Sequence, residues 1–363
     1  MVLSPKPGVM DIEAYVPGRS EAAGAPRIYK LSSNESPFGP SPKAMAAYDA
    51  AKSLLGFYPE GSARILRDAI AAHYGLASDR IVCGNGSGEI LTLLANCYLR
   101  PKEEVLFSSH AFSLYKIVTL ANSGVPVEIP TTDLKPSVDD LLARVGDRTR
   151  LVYIANPNNP TATYLSAAEM RRLHAALPET ALLVIDAAYA EYVRRNDYEA
   201  GIELVGTSNN VIMTRTFSKV YGLAGIRVGW AYCPKPIAQV LHRVRAPFNV
   251  NIAAQKAAVA ALDDHAHVAN ALAHNDHWRA WLIDEIRALG LRVDDSAANF
   301  VLIHFPEKPG RSSADADRFL MARGVILRGC ASYDLPHCLR LTVGSEEANR
   351  AAVAALRAFV EAQ

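Results

Sequence analysis

Cysteine is scarce: five residues in 363, an odd number, with no Cys-x-x-Cys pair. That excludes a disulfide-built scaffold and a dithiol redox motif. Cys338 directly follows His337, but no further ligands stand at metal-site spacing, so the thiols read as structural groups in a reducing cytoplasm and no metal is expected. An excess of one charge is lacking too. Lys plus Arg number 38 against 37 Asp plus Glu, with no basic tail and no arginine-rich face, so neither nucleic acid nor an anionic membrane is an expected partner. No stretch approaches the roughly 20 apolar residues that span a bilayer. The opening MVLSPKPGVMDIEAYVPG lacks the charged start and apolar core of a secretory leader. Internal repeats and low-complexity linkers are also missing.

What is present is the balance of a globular protein, half hydrophobic and 21% charged, in a chain long enough for two domains. Residues 1–30, rich in Pro, Gly and Ala, read as an irregular arm. Ser41-Pro42 pairs an N-cap with a first-turn proline and predicts a helix through Met45 to Leu55. After the turn Tyr58-Pro59-Glu60-Gly61, Ile65 to Tyr74 predicts another. From there to about residue 260, short apolar runs alternate with helical segments such as AAEMRRLHAAL. The runs are IVC (81–83), EVLFSS (104–109), PVEIP (126–130), LVYIAN (151–156), ALLVID (181–186), NVIMTRT (210–216) and VGWAYC (228–233). Several are apolar at successive positions, as strands buried on both faces are, and the alternation predicts a mainly parallel α/β sheet. Residues 235–290 read as one long helix leading to a second domain. The tail adds strands from FVLIHF, GVILRG and CLRLTV and a last helix from EEANRAAVAALRAFVEA.

Open α/β sheets bind ligands beyond the carboxyl ends of their strands, so the polar residues there carry the functional argument. Gly84-Asn85-Gly86-Ser87-Gly88-Glu89 follows IVC and opens a helix. It is either a plain turn or a cradle of backbone N–H groups for an anion. Asn156-Pro157-Asn158-Asn159-Pro160-Thr161 is a tight turn or a proline-stiffened display of amide donors. Asp186 ends ALLVID, three residues before Tyr189. At the end of a buried strand a carboxylate either caps the next turn or meets a cation. The stretch TRTFSKVYGLAGIRVGW (214–230) holds Lys219 with no acidic residue to pair with it. Such a lysine either snorkels from the first turn of a helix or, desolvated, offers a neutral amine to a carbonyl and forms a Schiff base. Thr216 and Ser218 add hydroxyls, and Arg227 adds a fork suited to phosphate. Together these groups describe one ligand, a planar aldehyde bearing a phosphate and a basic ring nitrogen. Pyridoxal 5'-phosphate fits each of them: aldehyde at Lys219, ring nitrogen at Asp186, phenolic oxygen at Asn159 and Tyr189, phosphate at the 86–88 turn, Ser218 and Arg227. A carboxylate at Asp186 keeps the ring nitrogen protonated and makes the ring an electron sink.

The order Asn-Pro-Thr, Asp-x-x-Tyr, Ser-Lys and Arg resembles the fold-type I, aspartate-aminotransferase-like superfamily. Within it the chain is similar to the histidinol-phosphate aminotransferases, through LSSNESPFGPSP (31–42), YPEGSARILRDAIAAHYG (58–75), GNGSGE (84–89), ANPNNPT (155–161), RTFSKVYGLAGIRVGW (215–230), PFNVN (247–251) and LRLTVGS (339–345). The resemblance implies an α/β architecture: an N-terminal arm (1–40), a large cofactor domain (41–265) with a mainly parallel seven-stranded sheet, and a smaller α+β domain (266–363). It implies a Schiff base at Lys219, ring contacts at Asp186, Asn159 and Tyr189, and phosphate contacts at Ser87, Gly88, Thr216, Ser218 and Arg227. It stacks Phe112 on the ring, where the residues alone suggest helix core. It sends Tyr58 to the phosphate of a neighbouring subunit, and so implies a homodimer with shared sites. Arg340 would grip the substrate's phosphate or carboxylate, where the residues alone allow a surface ion pair; Arg328, Tyr15 and Asn34 join the same pocket.

The implied reaction is ping-pong transamination between small molecules, L-histidinol phosphate and 2-oxoglutarate, giving imidazole-acetol phosphate and glutamate in histidine biosynthesis. Aromatic amino-acid aminotransferases and a threonine-phosphate decarboxylase-like lyase share the lysine and arginine motifs. The chain departs from the family at Ala187, where a Glu is usual, and at Ala162, where the usual Gly would tolerate a positive φ beside Asn159.

Overall fold

The computed structural model describes residues 3–14, 16–21, 24 and 27–362. Each of the seven apolar runs forms a strand: β1 (Ile81–Gly84), β2 (Glu104–Ser108), β3 (Val125–Ile129), β4 (Thr149–Ala155), β5 (Leu182–Asp186), β6 (Val211–Thr216) and β7 (Gly229–Tyr232). They make one sheet in the order β1-β7-β6-β5-β4-β2-β3. Strands β6, β5, β4, β2 and β3 pair in parallel, and β7 runs antiparallel to both its neighbours. The absence of alternation in β5 and β6 has a direct cause, since every residue of both is buried. Leu183, Ile185, Val211 and Met213 enter the core on one face, and Leu182, Val184 and Ile212 enter the core on the other.

Helix α1 (Pro42–Ala51) begins as its sequence signals, with Pro42 in the first turn and the Ser41 side chain accepting from the Ala44 N–H. Its expected end at Leu55 is a separate 3-10 turn, Lys52–Leu54. Helix α2 (Arg64–Tyr74) follows, and α3 (Ser87–Tyr98) leaves β1 through the glycine-rich turn. The single helix expected over 235–290 is instead three: α4 (Lys235–Val244), α5 (Ile252–Leu262) and α6 (His265–Ala288). Pro247 disfavours helical geometry just before it, and Arg245 is already extended at ψ 147. Asn251 accepts from the Ala254 N–H and starts α5; Asp264 accepts from the His267 N–H and starts α6. The Ala-rich composition favoured helix throughout, but two polar caps and a proline cut it.

A second sheet holds β8 (Arg292–Val293), β9 (Phe300–His304), β10 (Arg328–Gly329) and β11 (Cys338–Thr342) in the order β8-β9-β11-β10, antiparallel throughout. With α7 (Glu346–Glu361) it buries a core of its own, including Leu282, Ile286, Val301, Leu341 and Leu356. The run GVILRG is split between partners. Val325–Ile326 pairs in parallel with Tyr29–Lys30 of the N-terminal arm, and Arg328–Gly329 pairs with β11. The arm is therefore stitched to the second sheet from Tyr29 onward: Leu31 donates to the Ile326 carbonyl and accepts from the Thr342 N–H. Among the described residues no helix is long and apolar enough to cross a membrane.

Candidate active site

The carboxyl ends of β4, β5 and β6 open on a cavity of about 320 Å³, within the range of ligand sites. It gathers every residue singled out from the sequence except two. Tyr15 lies outside the described residues. Tyr58 is 82% exposed and stacks on Phe248 at 4.5 Å, away from its own chain's cavity.

One wall is built for an anion. Gly86 holds φ 83 and no side chain caps α3, so the first N–H groups, at Ser87 and Gly88, have no capping side chain. Glu89 folds the turn back on itself, accepting from the Asn85 N–H at 2.6 Å and from Asn249 Nδ2 at 2.8 Å. Glycine is favoured at Gly86 by its positive φ and required at Gly229 by close approach of backbone. A Cβ on Gly86 would lie 2.4 Å from Arg227 Nη2, and one on Gly229 would lie 2.3 Å from the Ser87 nitrogen. The guanidinium that packs over Gly86 donates to Ser218 Oγ at 3.3 Å and to the Ala224 carbonyl at 3.1 Å. The Ser218 N–H in turn donates to Thr216 Oγ1 at 3.1 Å.

Asp186 ends β5, buried, and both of its oxygens accept from neutral groups: Oδ2 from the Tyr115 hydroxyl at 2.9 Å and Oδ1 from Thr214 Oγ1 at 3.1 Å. Burial pushes its carboxyl above the usual range, against the pull of those two hydroxyls and the Ala188 N–H. It thus makes the turn contact considered from the sequence, and no cation hydrogen-bonds to it; the Lys219 charge acts on it only at longer range. A positive charge set against it would favour the ionised form. Tyr115 is fully buried and stacks on Tyr153 at 4.7 Å with the rings parallel within 2°.

Sequence reading missed both supports of Asp186. Thr214 had a visible signal, a polar residue two before Thr216 and so on the same face of β6. Tyr115 had none, because a tyrosine three residues after Phe112 reads equally well as core. Phe112 itself precedes the helix Leu114–Ala121 rather than lying in it. It is half-buried, lines the cavity and meets Tyr115 edge-on at 5.9 Å.

Lys219 stands in the loop after β6, so the reading of a lysine snorkelling from a helix does not hold. It is half-buried and lines the cavity. Its Nζ donates to the Ser33 carbonyl at 3.3 Å and lies 5.5 Å from the centre of the Tyr189 ring. Burial first, then the Arg340 charge, lowers its pKa to about 8, with Glu35 opposing. An appreciable fraction is therefore the free amine, the nucleophilic form, near neutral pH. Tyr189 is buried, and its hydroxyl accepts from Asn34 Nδ2 at 2.9 Å. Burial raises the phenol's pKa, while Arg340 and the Asn34 bond pull it back.

Arg340 is not on the surface. It is 4% exposed, and its fork donates to Asn159 Oδ1 and, at 2.7 Å, to the Ser32 carbonyl, while Nε has no partner. The guanidinium also sits 5.3 Å from the centre of the Phe300 ring. Arg328 borders the cavity and donates to the Val16 carbonyl at 3.0 Å. Ala162 holds φ 59, so the position does demand a positive φ and an L-residue takes it. Ala187 is completely buried, where a longer acidic side chain would need both space and a cation.

The residues fit pyridoxal phosphate. The buried carboxylate without a cation, the amine without a carboxylate, the uncapped helix beside Arg227 and the unpartnered Arg340 Nε each call for a group of that kind or of its substrates. Fold and site define a lysine-based transferase of the pyridoxal-phosphate type. Residues 26–356 match the model of the family described as aminotransferase class I and II, and the chain belongs to that family. Two similar relatives are the histidinol-phosphate aminotransferases of Rhodopseudomonas palustris strains HaA2 and BisB5. They are 52% and 51% identical, each over 98% of both chains. Among solved structures, the histidinol-phosphate aminotransferase of Sinorhizobium meliloti in complex with pyridoxal-5'-phosphate aligns with a TM-score of 0.86. It is 29% identical over 93% of this chain and 92% of that one.

Proposed function

We propose that this chain is a pyridoxal-phosphate-dependent transaminase that moves the amino group of L-histidinol phosphate to 2-oxoglutarate, yielding imidazole-acetol phosphate and glutamate in histidine biosynthesis. The observation that carries the chemistry is Lys219, a lysine with its pKa lowered to about 8 in the same cavity as a buried Asp186 whose hydrogen bonds from side chains come only from neutral groups. The substrate rests on relatives at 52% and 51% identity that bear that name. When bound, pyridoxal phosphate supplies an aldehyde for the substrate amine and a ring that accepts the electron pair left when the Cα proton departs.

The protein's own work is positioning and proton transfer. The Lys219 amine takes the Cα proton as a general base and returns it on the far side of the transfer. Asp186 holds positive charge at the ring nitrogen, supported by Tyr115 and Thr214. Asn159 and Tyr189 would hold the ring's phenolic oxygen and Phe112 would stack on the ring, while Ser87, Gly88, Thr216, Ser218 and Arg227 would hold the phosphate. Arg340, with Arg328 and Asn34 lining the same cavity, would bind the anionic end of either substrate, and the family resemblance assigns Tyr15 to that task as well. A planar fork takes a phosphate or a carboxylate with the same pair of N–H groups, so one residue serves both half-reactions.

The unit that works is a homodimer. Tyr58, Phe57, Leu55 and Phe248 are exposed apolar residues suited to cover by a second copy, with Tyr58 reaching the partner's phosphate site. The division into arm (1–40), large domain (41–265) and small domain (266–363) is supported by the two sheets with separate cores. A cytoplasmic setting suits five free cysteines.

Single-turnover spectroscopy of the holoenzyme tests the assignment, with histidinol phosphate, phenylalanine and threonine phosphate mixed in separately. Fast conversion to the pyridoxamine form by histidinol phosphate, with phenylalanine far slower, is expected. Equal or faster conversion by phenylalanine would move the protein to the aromatic aminotransferases. Carbon dioxide released from threonine phosphate without use of a 2-oxo acid would make it a lyase.

A further inference from the structure

We infer that the second sheet carries a site for a divalent transition-metal cation of the zinc type, held by His304, His337 and Cys338. None of the three borders the cavity described above. The antiparallel register of β9 and β11 sets His304 opposite Cys338, and the chain places His337 next to Cys338. Their candidate ligand atoms all lie within 4.8 Å of one another. A tetrahedral zinc with nitrogen at about 2.0–2.1 Å and sulfur at about 2.3 Å holds such a pair roughly 3.5 Å apart. His304 Nδ1 and Cys338 Sγ already stand at 3.3 Å.

A supporting contact makes this more than three residues in proximity. His304 Nε2 donates to Asp294 Oδ2 at 2.5 Å, which fixes the ring and leaves the Nδ1 lone pair aimed at Cys338. A carboxylate behind a histidine whose other nitrogen faces a ligand group is the usual way a protein orients a metal-binding imidazole. The other oxygen of Asp294 is held by Arg292 at 3.0 Å, so the carboxylate is itself fixed. The Phe305 N–H donates to the His337 carbonyl at 2.9 Å, and the Cys338 N–H donates to the Leu335 carbonyl at 3.0 Å, which anchors the backbone of the pair.

Access comes from the His337 side. Its side chain is one-third exposed, and the exposed Glu307 carboxylate lies 3.8 Å from its Nδ1, within reach as a fourth ligand in place of water. Two imidazoles and a sulfur select zinc, cobalt or copper over magnesium and calcium. On binding, the Cys338 S–H bond breaks, a sulfur–metal bond forms, and one proton passes to solvent. Cys338 lies two residues before Arg340 on β11, so the metal acts as a clasp between β9 and the strand that carries Arg340.

Cobalt(II) titrated into the purified holoenzyme tests the site, read by the visible bands of tetrahedral cobalt, with zinc competition and zinc counted per chain. One saturable equivalent is expected, with binding weakened roughly tenfold or more in Cys338→Ser, His304→Asn and His337→Ala, and more modestly in Asp294→Asn. Retained cofactor absorbance and transaminase turnover show that each variant is folded. Saturating zinc should raise the melting temperature of the wild type and not that of His337→Ala. No saturable binding to the wild type, or tight binding that none of the substitutions weakens, overturns the inference; the latter would place the metal on the cofactor or elsewhere.

Discussion

Replacing Lys219 by methionine should stabilise the cofactor-free protein at neutral pH, although it destroys the proposed nucleophile. The gap between the ordinary lysine value of 10.5 and about 8 corresponds to about 3 kcal/mol at 1.36 kcal/mol per pKa unit. Lys219 is half-buried and borders an open cavity, so solvent screening reduces this to about 2 kcal/mol. The sign follows from proton counts. Below pH 8 both the folded and unfolded chains carry the ammonium, and the folded state bears the full cost of desolvating it. Between 8 and 10.5 the folded chain releases the proton first, so wild-type stability rises with pH. Above 10.5 both are neutral and the cost is gone. Methionine keeps the unbranched stem without the charge. Urea unfolding of both cofactor-free proteins should give Lys219→Met the higher midpoint at pH 7, with the difference shrinking as pH approaches 10. A variant less stable than wild type at pH 7, or a difference that does not change with pH, would refute a lysine whose pKa is lowered by burial.

Three further substitutions probe the same site. Tyr115→Phe removes a hydrogen bond to a carboxylate, worth about 1.5–3 kcal/mol. Because that bond holds the Asp186 pKa down, the acidic limb of the kcat–pH profile should move to higher pH, and an unmoved limb would show that Asp186 is not set by Tyr115. Arg340→Lys keeps the charge and loses the fork. kcat/KM should fall roughly 10- to 100-fold for both substrates by the same 1.5–3 kcal/mol, and a fall for one alone would refute a shared anion site. Ala162→Gly relieves about 1–2 kcal/mol of left-handed backbone, offset by about 0.4–1 kcal/mol of unfolded-chain entropy and about 0.8 kcal/mol for a buried methyl. Stability should therefore change by less than about 1 kcal/mol, and a loss above about 2 kcal/mol would mean that the methyl's packing outweighs the strain.

The large sheet was legible because its strands are buried on both faces and so read as unbroken apolar runs, a signal that does not depend on distant partners. Lys219, Asp186 and the 84–89 turn were legible for the same reason, since each follows such a run directly. The helices after 235 were misjudged because an Ala-rich segment keeps helical propensity across a break, and only Asn251, Asp264 and Pro247 say where the breaks fall. GVILRG hid its division because propensity cannot show that Val325–Ile326 and Arg328–Gly329 pair with different strands. The closeness of His304 to Cys338 was not legible, because the two are 34 residues apart in sequence and become neighbours only through the β9–β11 register. Arg340 resembled a surface arginine on an alternating strand, and its burial depends on Ser32 and Asn159, 308 and 181 residues distant.

The site also gathers, around one cavity, departures from the pairing seen along much of the chain. Exposed Lys and Arg residues find carboxylates at short range along most of the surface, as Lys52 does with Asp49 and Arg350 with Glu346. Helices α1, α5, α6 and α7 each have an N-cap side chain accepting at their first turn, whereas the N-cap residues of α2, α3 and α4 make no such bond, and of these three α3 opens on the cavity. Lys219 has no carboxylate in hydrogen-bond reach, Asp186 accepts only from neutral groups, α3 begins without a side-chain cap, and Arg340 is buried among carbonyl and amide oxygens. Each departure costs stability by itself, and scattered through the fold they would be four unrelated defects. All four face one cavity, with signs in the order of an amine, a carboxylate, an anion cradle and a second cation. A ligand with a carbonyl, a basic ring nitrogen and a phosphate, together with a substrate bearing an anionic end, completes them together. That shared direction, more than any single motif, ties the fold to transamination.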